Sequence, residues 1–485
     1  MYRARSKRAE RRRFILTYTL VPLLILGLVT LLVMYMLGYR FSMESHTVSQ
    51  GGLLQLGSQP AGAEVTVDTT TLPGRTLTRY DAPAGLHTVV MRRDGYIPWQ
   101  KTVTVEPGKV LWLTYARLIP QTIKQSTVKE YASVSSSVAA NQRMIALPDP
   151  AKPELAVTAL GDTPRQTTVA IPVNISTRVT AASRYEVVRA SVSGRYVLVK
   201  HSAGKQHEWW LVDVQSPERS HNITTIAGEW TAEPLLGVSN EQQLYVIVNH
   251  ELRLIDVARQ TLSAPIMSNV AEAQQSATGI VSYVTHTAGT PKQRAVGYYT
   301  PGADKPHTIK SYYDDGKVPL RLRIAEYSGS HYVVLQYGTT IEISSTRLVS
   351  SGAGQDLSLV SLATLAVPDG SDYVSFSPSS RFVVSQHGST YLTYDLELNS
   401  LSTATLKGEA QVSRPLAWLD THVIWSDRDN QLRLYEFDGA YANTIGEVIE
   451  GQAVALSSDG KYIYAFQPGK DGSSTQLVRF HLRVE

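Results

Sequence analysis

Twelve histidines are scattered through this 485-residue chain, and no two lie closer than six positions (His201 and His207). Zinc takes imidazoles or carboxylates at short helical or strand spacing, so no two-histidine motif is present. His207-Glu208 precedes Trp209-Trp210, which could be a ligand pair but reads better as a turn beside core aromatics. The chain has no cysteine, which removes disulfides, thiolate metal sites and cysteine nucleophiles. Neither a Gly-x-Ser-x-Gly elbow nor a Gly-x-x-x-x-Gly-Lys phosphate loop occurs. Asp427, Asp429 and Asn430 cluster, as do Asp314 and Asp315 before Gly316. Calcium favours such oxygen groups, but neither stretch has the full spacing of a calcium loop, and aspartates are ordinary turn residues. Asn174-Ile-Ser176 and Asn222-Ile-Thr224 fit glycosylation triplets, which arise by chance in a Ser/Thr-rich chain and carry no weight. No catalytic residue, metal ligand or cofactor site is therefore assigned. The candidate binding residues are Trp209, Trp210, Trp230, Trp418 and Trp425, which either stack on sugars and grip a peptide or fill cores.

The elements that would position these residues begin with a membrane segment. Residues 1–13 carry seven Lys or Arg against one Glu, and Phe14 to Leu37 follow as 24 residues without a charge. At about 1.5 Å per residue, a helix of this length crosses a hydrocarbon core of about 30 Å. The basic tail is expected to stay cytoplasmic, with everything after Leu37 facing outward. The apolar run is longer than a signal-peptide core and ends in Tyr35, Met36, Leu37, Gly38, Tyr39 and Arg40 with no small-residue cleavage pair, so an uncleaved single-pass anchor is expected. The formal charge of +4 includes +6 from the first 13 residues, leaving −2 for the other 472. That balance gives nucleic acid no basic face to bind.

Beyond a short polar spacer (38–51), period-2 alternation dominates. Val65 and Val67 share a face, as do Val103 and Val105, then Leu111, Leu113 and Tyr115. Turns at Pro60–Gly62, Pro73-Gly74, Pro83–Gly85, Asp94-Gly95 and Pro107-Gly108 cut 52–118 into short strands, which means a small β-sandwich. Pro60-Ala61-Gly62-Ala63-Glu64-Val65-Thr66-Val67-Asp68, then Ala84-Gly85-Leu86-His87-Thr88-Val89, then Asp94-Gly95-Tyr96, resemble the PEGA domain family. The family commonly follows that Asp with Gly and Thr-Pro; this chain has Thr69 to Leu72 and then Gly74, Thr76 and Leu77, so a longer hairpin is expected. The resemblance implies a surface-exposed β-sandwich of envelope proteins and no catalytic residues.

From 121 to 485 a looser unit recurs every 38 to 50 residues, the period of a four-stranded propeller blade. It joins a Ser- or Gly-containing turn to a strand, a second turn, and a strand ending in an aromatic or Asp. Ser191 to Val199, Phe376 to Val384 and Leu456 to Tyr464 are its clearest copies. They resemble the WD-like and TolB-like β-propeller repeats. Copies near Val134–Leu160 and Ser276–Tyr299 are weak, so seven or eight blades are expected. The final strand alternates Val478, Phe480, Leu482 and Val484 with Arg479, His481 and Arg483, and is expected to seal the ring. The sialidase-type aspartate box is absent from every repeat.

The fold expected is thus an all-β exterior on one transmembrane helix: a small PEGA-like sandwich followed by a seven- or eight-bladed propeller. The function expected is a non-catalytic, membrane-anchored scaffold presenting the propeller to an envelope protein or cell-wall glycan. The alternative is an extracytoplasmic enzyme acting on envelope glycans, which needs two carboxyl groups about 5–10 Å apart in the funnel.

Overall fold

The computed structural model describes residues 7–36, 39–42, 47–176, 180, 182–228, 230, 232–348 and 357–484. The chain divides into two compact units, Met1–Thr122 with Arg483–Glu485, and Ile123–Leu482.

In the first unit, helix α1 spans Lys7–Met36, so the good helix formers of the basic tail extend it beyond the apolar run. Its stretch Leu16–Met34 is long and apolar enough to cross a membrane, and none of it is buried against protein. Eight strands follow: β1 (Tyr39–Ser42), β2 (Thr47–Gln59), β3 (Glu64–Val67), β4 (Thr70–Arg75), β5 (Thr78–Pro83), β6 (Gly85–Arg92), β7 (Trp99–Val105) and β8 (Val110–Arg117). One sheet centres on β2, which pairs β1 and β5 antiparallel and β8 parallel; the other has the order β4-β3-β6-β7. The stretch 38–51, read as a spacer, thus contributes strand to this sheet. Gly51 and Gly52 permit that, because a Cβ on either would lie 2.5 Å from the carbonyl oxygen of Ala82 or Glu106.

Leu54, Leu56, Val65, Val67, Val89, Met91, Trp99 and Leu113 fill the space between the two sheets. The β3–β4 turn is only two residues, Asp68-Thr69, since Val67 pairs with Thr70. The extra length expected there is absorbed by an irregularity in β4, where pairing moves from Thr66↔Thr71 to Glu64↔Arg75. Asp68 adopts a left-handed φ of 53°. Its carboxylate accepts the Thr88 N–H (2.8 Å) and bonds His87 Nδ1 (2.7 Å), and these two interactions hold its pKa below the usual carboxylate value.

Among the described residues, the second unit has eight four-stranded antiparallel sheets, the blades of a β-propeller. In chain order they occupy 136–170, 183–222, 235–262, 270–313, 320–366, 373–405, 417–447, and 455–481 with 125–131. Strands a to d run outward in each blade. The sequence repeat is explained by one turn between strands a and b. Ser191, Ser377 and Ser457 each accept, at Oγ, the backbone N–H five residues on: Tyr196 (3.1 Å), Phe382 (3.1 Å) and Tyr462 (3.0 Å). Gly194, Ser380 and Gly460 supply the left-handed residue, with φ of 67°, 62° and 66°. In two copies the next residue, Arg195 or Arg381, reaches the Asp ending strand c, Asp213 or Asp395, at 2.7 Å. In the third copy burial opposes ionisation of Asp459, but Ser457 and Lys461 together hold its pKa down to about 2.

Blade 8 closes the ring. Its strands a to c come from the C-terminal end of the unit and its strand d is Gln125–Tyr131, which pairs with Thr475–His481 from Thr475↔Tyr131 to Phe480↔Gln125. Tyr131, Met144, Ala156, Phe466 and Leu477 pack blade 8 on blade 1, and the Phe480 ring lies where a Cβ on Gly446 of blade 7 would stand. Strand c of this blade is buried on both faces, so Leu477 and Val478 are both inaccessible and the alternation is broken. It also ends at His481, and Val484, expected to continue it, is 47% exposed.

Deleting 476–485 removes the buried Leu477, Val478, Phe480 and Leu482, each of which contributes about 1.5–3 kcal/mol. That sum rivals the stability of a typical domain, about 5–15 kcal/mol. The truncated chain is expected to lose the cooperative β-sheet melt of the propeller by circular dichroism; a fall in Tm of only a few degrees would mean the ring closes elsewhere.

Candidate functional site

Within each antiparallel meander, the a–b and c–d turns lie at one end and the b–c turns and blade-to-blade links at the other. At the a–b end, the inner strands of blades 2, 3 and 4 enclose a cleft of about 460 Å³. A second hollow of about 270 Å³ lies against blades 4, 5 and 6. The two share one wall, Gln274 to Ala277, at the end of the inner strand of blade 4.

Charge in these hollows is paired. Arg189 Nε meets Glu233 Oε1 at 2.5 Å, and an Arg323 guanidinium nitrogen meets Glu272 Oε1 at 2.9 Å. Arg323 also donates through Nε to the Val374 carbonyl (2.9 Å), which fixes the guanidinium plane. On the shared wall, Gln275 Oε1 is buried and, among the described residues, has no hydrogen-bond donor, a cost of about 1–3 kcal/mol that an incoming N–H or water would relieve. Val192, on the a–b turn of blade 2, offers an apolar side chain that is 70% exposed. Arginine-paired carboxylates and an open amide acceptor suit recognition of a polar chain.

Sequence spacing did not reveal a serine–histidine–acid chain inside blade 2. His201 Nε2 lies 2.9 Å from Ser183 Oγ, and His201 Nδ1 lies 2.9 Å from Glu208 Oε2. The connectivity is that of a nucleophile relay, but Ser183, His201 and Glu208 are all buried. Ser183 Oγ also accepts the Thr180 N–H, and Glu208 Oε2 accepts Ser176 Oγ (2.6 Å) and Trp210 Nε1 (3.3 Å). The network satisfies polar groups buried in blade 2. Glu208, read as a turn residue, is instead the acceptor at its centre.

The tryptophans lie elsewhere. Trp210 packs between blades 1 and 2, and Trp209 and Trp230 pack between blades 2 and 3. Trp425 is buried beneath the Arg414 guanidinium. Trp418 is half-buried and stacks on Phe382 at 5.9 Å. None of the five lines the cleft; Trp209, Trp210 and Trp230 are buried where neighbouring blades pack. Both aspartate clusters are engaged in local structure. Asp314 pairs with Arg294 at 2.8 Å and caps the Gly316 N–H (2.7 Å); Asp427 pairs with Arg414, and Asp429 accepts the Glu409 N–H (2.8 Å). Asn222 is buried and donates to the Ile175 carbonyl, which leaves no room for a glycan.

Residues 52–118 match the family model of the PEGA domain. No curated protein matches the sequence. Among solved structures, an oligogalacturonate lyase in complex with manganese is 11% identical with a TM-score of 0.43, covering 75% of this chain and 98% of its own. The β-propeller domain of Cps50 (Swd1) from Myceliophteria thermophila is 10% identical with a TM-score of 0.38, covering 73% and 99%. Dipeptidyl peptidase 4 of Porphyromonas gingivalis is 9% identical with a TM-score of 0.46, covering 72% and 58%.

Replacing His201 with Ala would strip Glu208 of one partner inside blade 2. Removing one partner of a buried hydrogen bond costs about 1–3 kcal/mol, and the surviving bonds from Ser176 and Trp210 place the loss at the low end. Thermal melting should show a clear drop in Tm; an unchanged Tm would mean that the network does not support the blade.

Proposed function

We propose that this chain is a membrane-anchored, non-catalytic binding protein. Its basic tail lies in the cytoplasm, the remainder lies outside, and its propeller presents the a–b mouth to an envelope partner. The observation that carries this reading is the cleft itself, whose two carboxylates each hold an arginine while one amide oxygen is left without a donor. Of the two partner classes expected, cell-wall glycan and envelope protein, the protein is favoured. Sugar recognition draws on exposed aromatic platforms, and four of the five candidate tryptophans are buried between or within blades. A polypeptide segment would supply an N–H to Gln275, charges to the split ion pairs and an apolar contact to Val192.

The test places a photo-crosslinking residue at Val192 in the full-length chain in intact cells. The control site is Leu401, on the outer strand of blade 6 and 50% exposed. A protein adduct specific to Val192, reduced at least tenfold by Arg189→Glu with Arg323→Glu, is expected. Equal labelling from both sites, or a Val192 adduct indifferent to the two charge reversals, would refute the reading.

A further inference from the structure

Two histidines far apart in sequence meet at the b–c end of the propeller. His250 lies in the b–c turn of blade 3, and His286 begins the b–c loop of blade 4. Their ring centroids are 4.4 Å apart with planes at 86°. Both backbones are tied to the same short link between the blades. The Val270 N–H donates to the His250 carbonyl (2.8 Å), the His286 N–H donates to the Asn269 carbonyl (2.8 Å), and Asn269 Nδ2 donates to the His286 carbonyl (3.0 Å). Asn249 and His250 both take left-handed φ, 51° and 63°, to make this turn between Val248 and Glu251. Their placement is thus fixed by the fold.

Their ring nitrogens, in contrast, are unused. Among the described residues, no hydrogen bond or ion pair engages the imidazole of either residue. His250 is exposed and His286 half-buried. Burial, then the neighbouring His250, holds the His286 pKa below the ordinary imidazole value.

We infer that His250 and His286 form a two-imidazole site for a divalent first-row transition ion, with water completing the shell. Imidazole nitrogen suits Cu²⁺, Zn²⁺ and Ni²⁺, with Cu²⁺ held most tightly. With the rings edge to face, binding one ion through both nitrogens requires the exposed His250 side chain to rotate. Among the described residues, no group of three or more histidine or acidic side chains converges, so the site holds its ion by two protein bonds and exchanges it readily. The inference is independent of the proposed partner cleft.

The test is Cu²⁺ binding to the untagged full-length protein in detergent, followed by equilibrium dialysis and electron paramagnetic resonance. The wild-type protein is expected to bind one Cu²⁺ with a two-nitrogen spectrum. His250→Ala should lose that equivalent, with affinity at least tenfold weaker and Tm unchanged, and His286→Gln should behave alike. His387→Ala, another exposed histidine, should leave the count intact. A wild-type count and spectrum in His250→Ala would overturn the inference even if His286→Gln fails to fold, and so would equal losses in His250→Ala and His387→Ala.

Discussion

A blade left with an unpaired edge is the constraint on which this structure turns. Seven blades are continuous in sequence, and each can form from local hairpins. The eighth needs a strand from the beginning of the unit beside three from its end, so that Ser126 and Arg479 meet across 353 residues. Closing a loop of that length costs about 5 kcal/mol in chain entropy. The ladder between Gln125–Tyr131 and Thr475–His481, with Tyr131, Phe466 and Leu477 buried beside it, offsets that cost. Without the ladder, blades 8 and 1 would face water along their apolar sides and strand c would present free N–H and C=O groups.

Closure also fixes what the a–b mouth can do. The cleft is walled by strands from three blades, so its charges keep their places only while the ring holds the blades in order. Arg189 pairs with a residue preceding the inner strand of blade 3, and Arg323 of blade 5 pairs with Glu272 of blade 4. These ion pairs cross blade boundaries, and pulling one blade away would separate them. The buried Ser183–His201–Glu208 chain serves one blade in the same sense, because it satisfies polar groups that the packing of blades 1 and 2 takes out of water.

Much of the architecture was legible in the sequence, and the reasons are physical. The charge step before Phe14 marks the helix, and alternation with frequent turns marks the sandwich. Blades 2, 6 and 8 were readable because their a–b turn combines a serine cap, a left-handed residue and a cation before an aromatic. Blade 1 was faint because its a–b connection is a two-residue turn at Asn141-Gln142, both left-handed, which needs no serine. Blade 4 keeps the serine and the glycine, Ser276 and Gly279, but has Ile280 where the cation would stand. The site was not legible. Arg189, Glu233, Glu272, Gln275 and Arg323 come from four blades and share no spacing, and His250 and His286 meet only because their blades are neighbours. The packing of Trp209, Trp210 and Trp230 was not legible either, because a ring that stacks on a ligand and a ring that packs between blades look the same in sequence.

The central claim is that strands from the two ends of the second unit form one cooperative blade. Native-state hydrogen exchange read by mass spectrometry tests it directly. If blade 8 closes the ring, amides in 125–131 and 475–481 should exchange together, with protection matching the most stable blades, because they open only when the propeller unfolds. Exchange of 125–131 on its own, at a rate near that of a free terminus while 475–481 stays protected, would contradict the account.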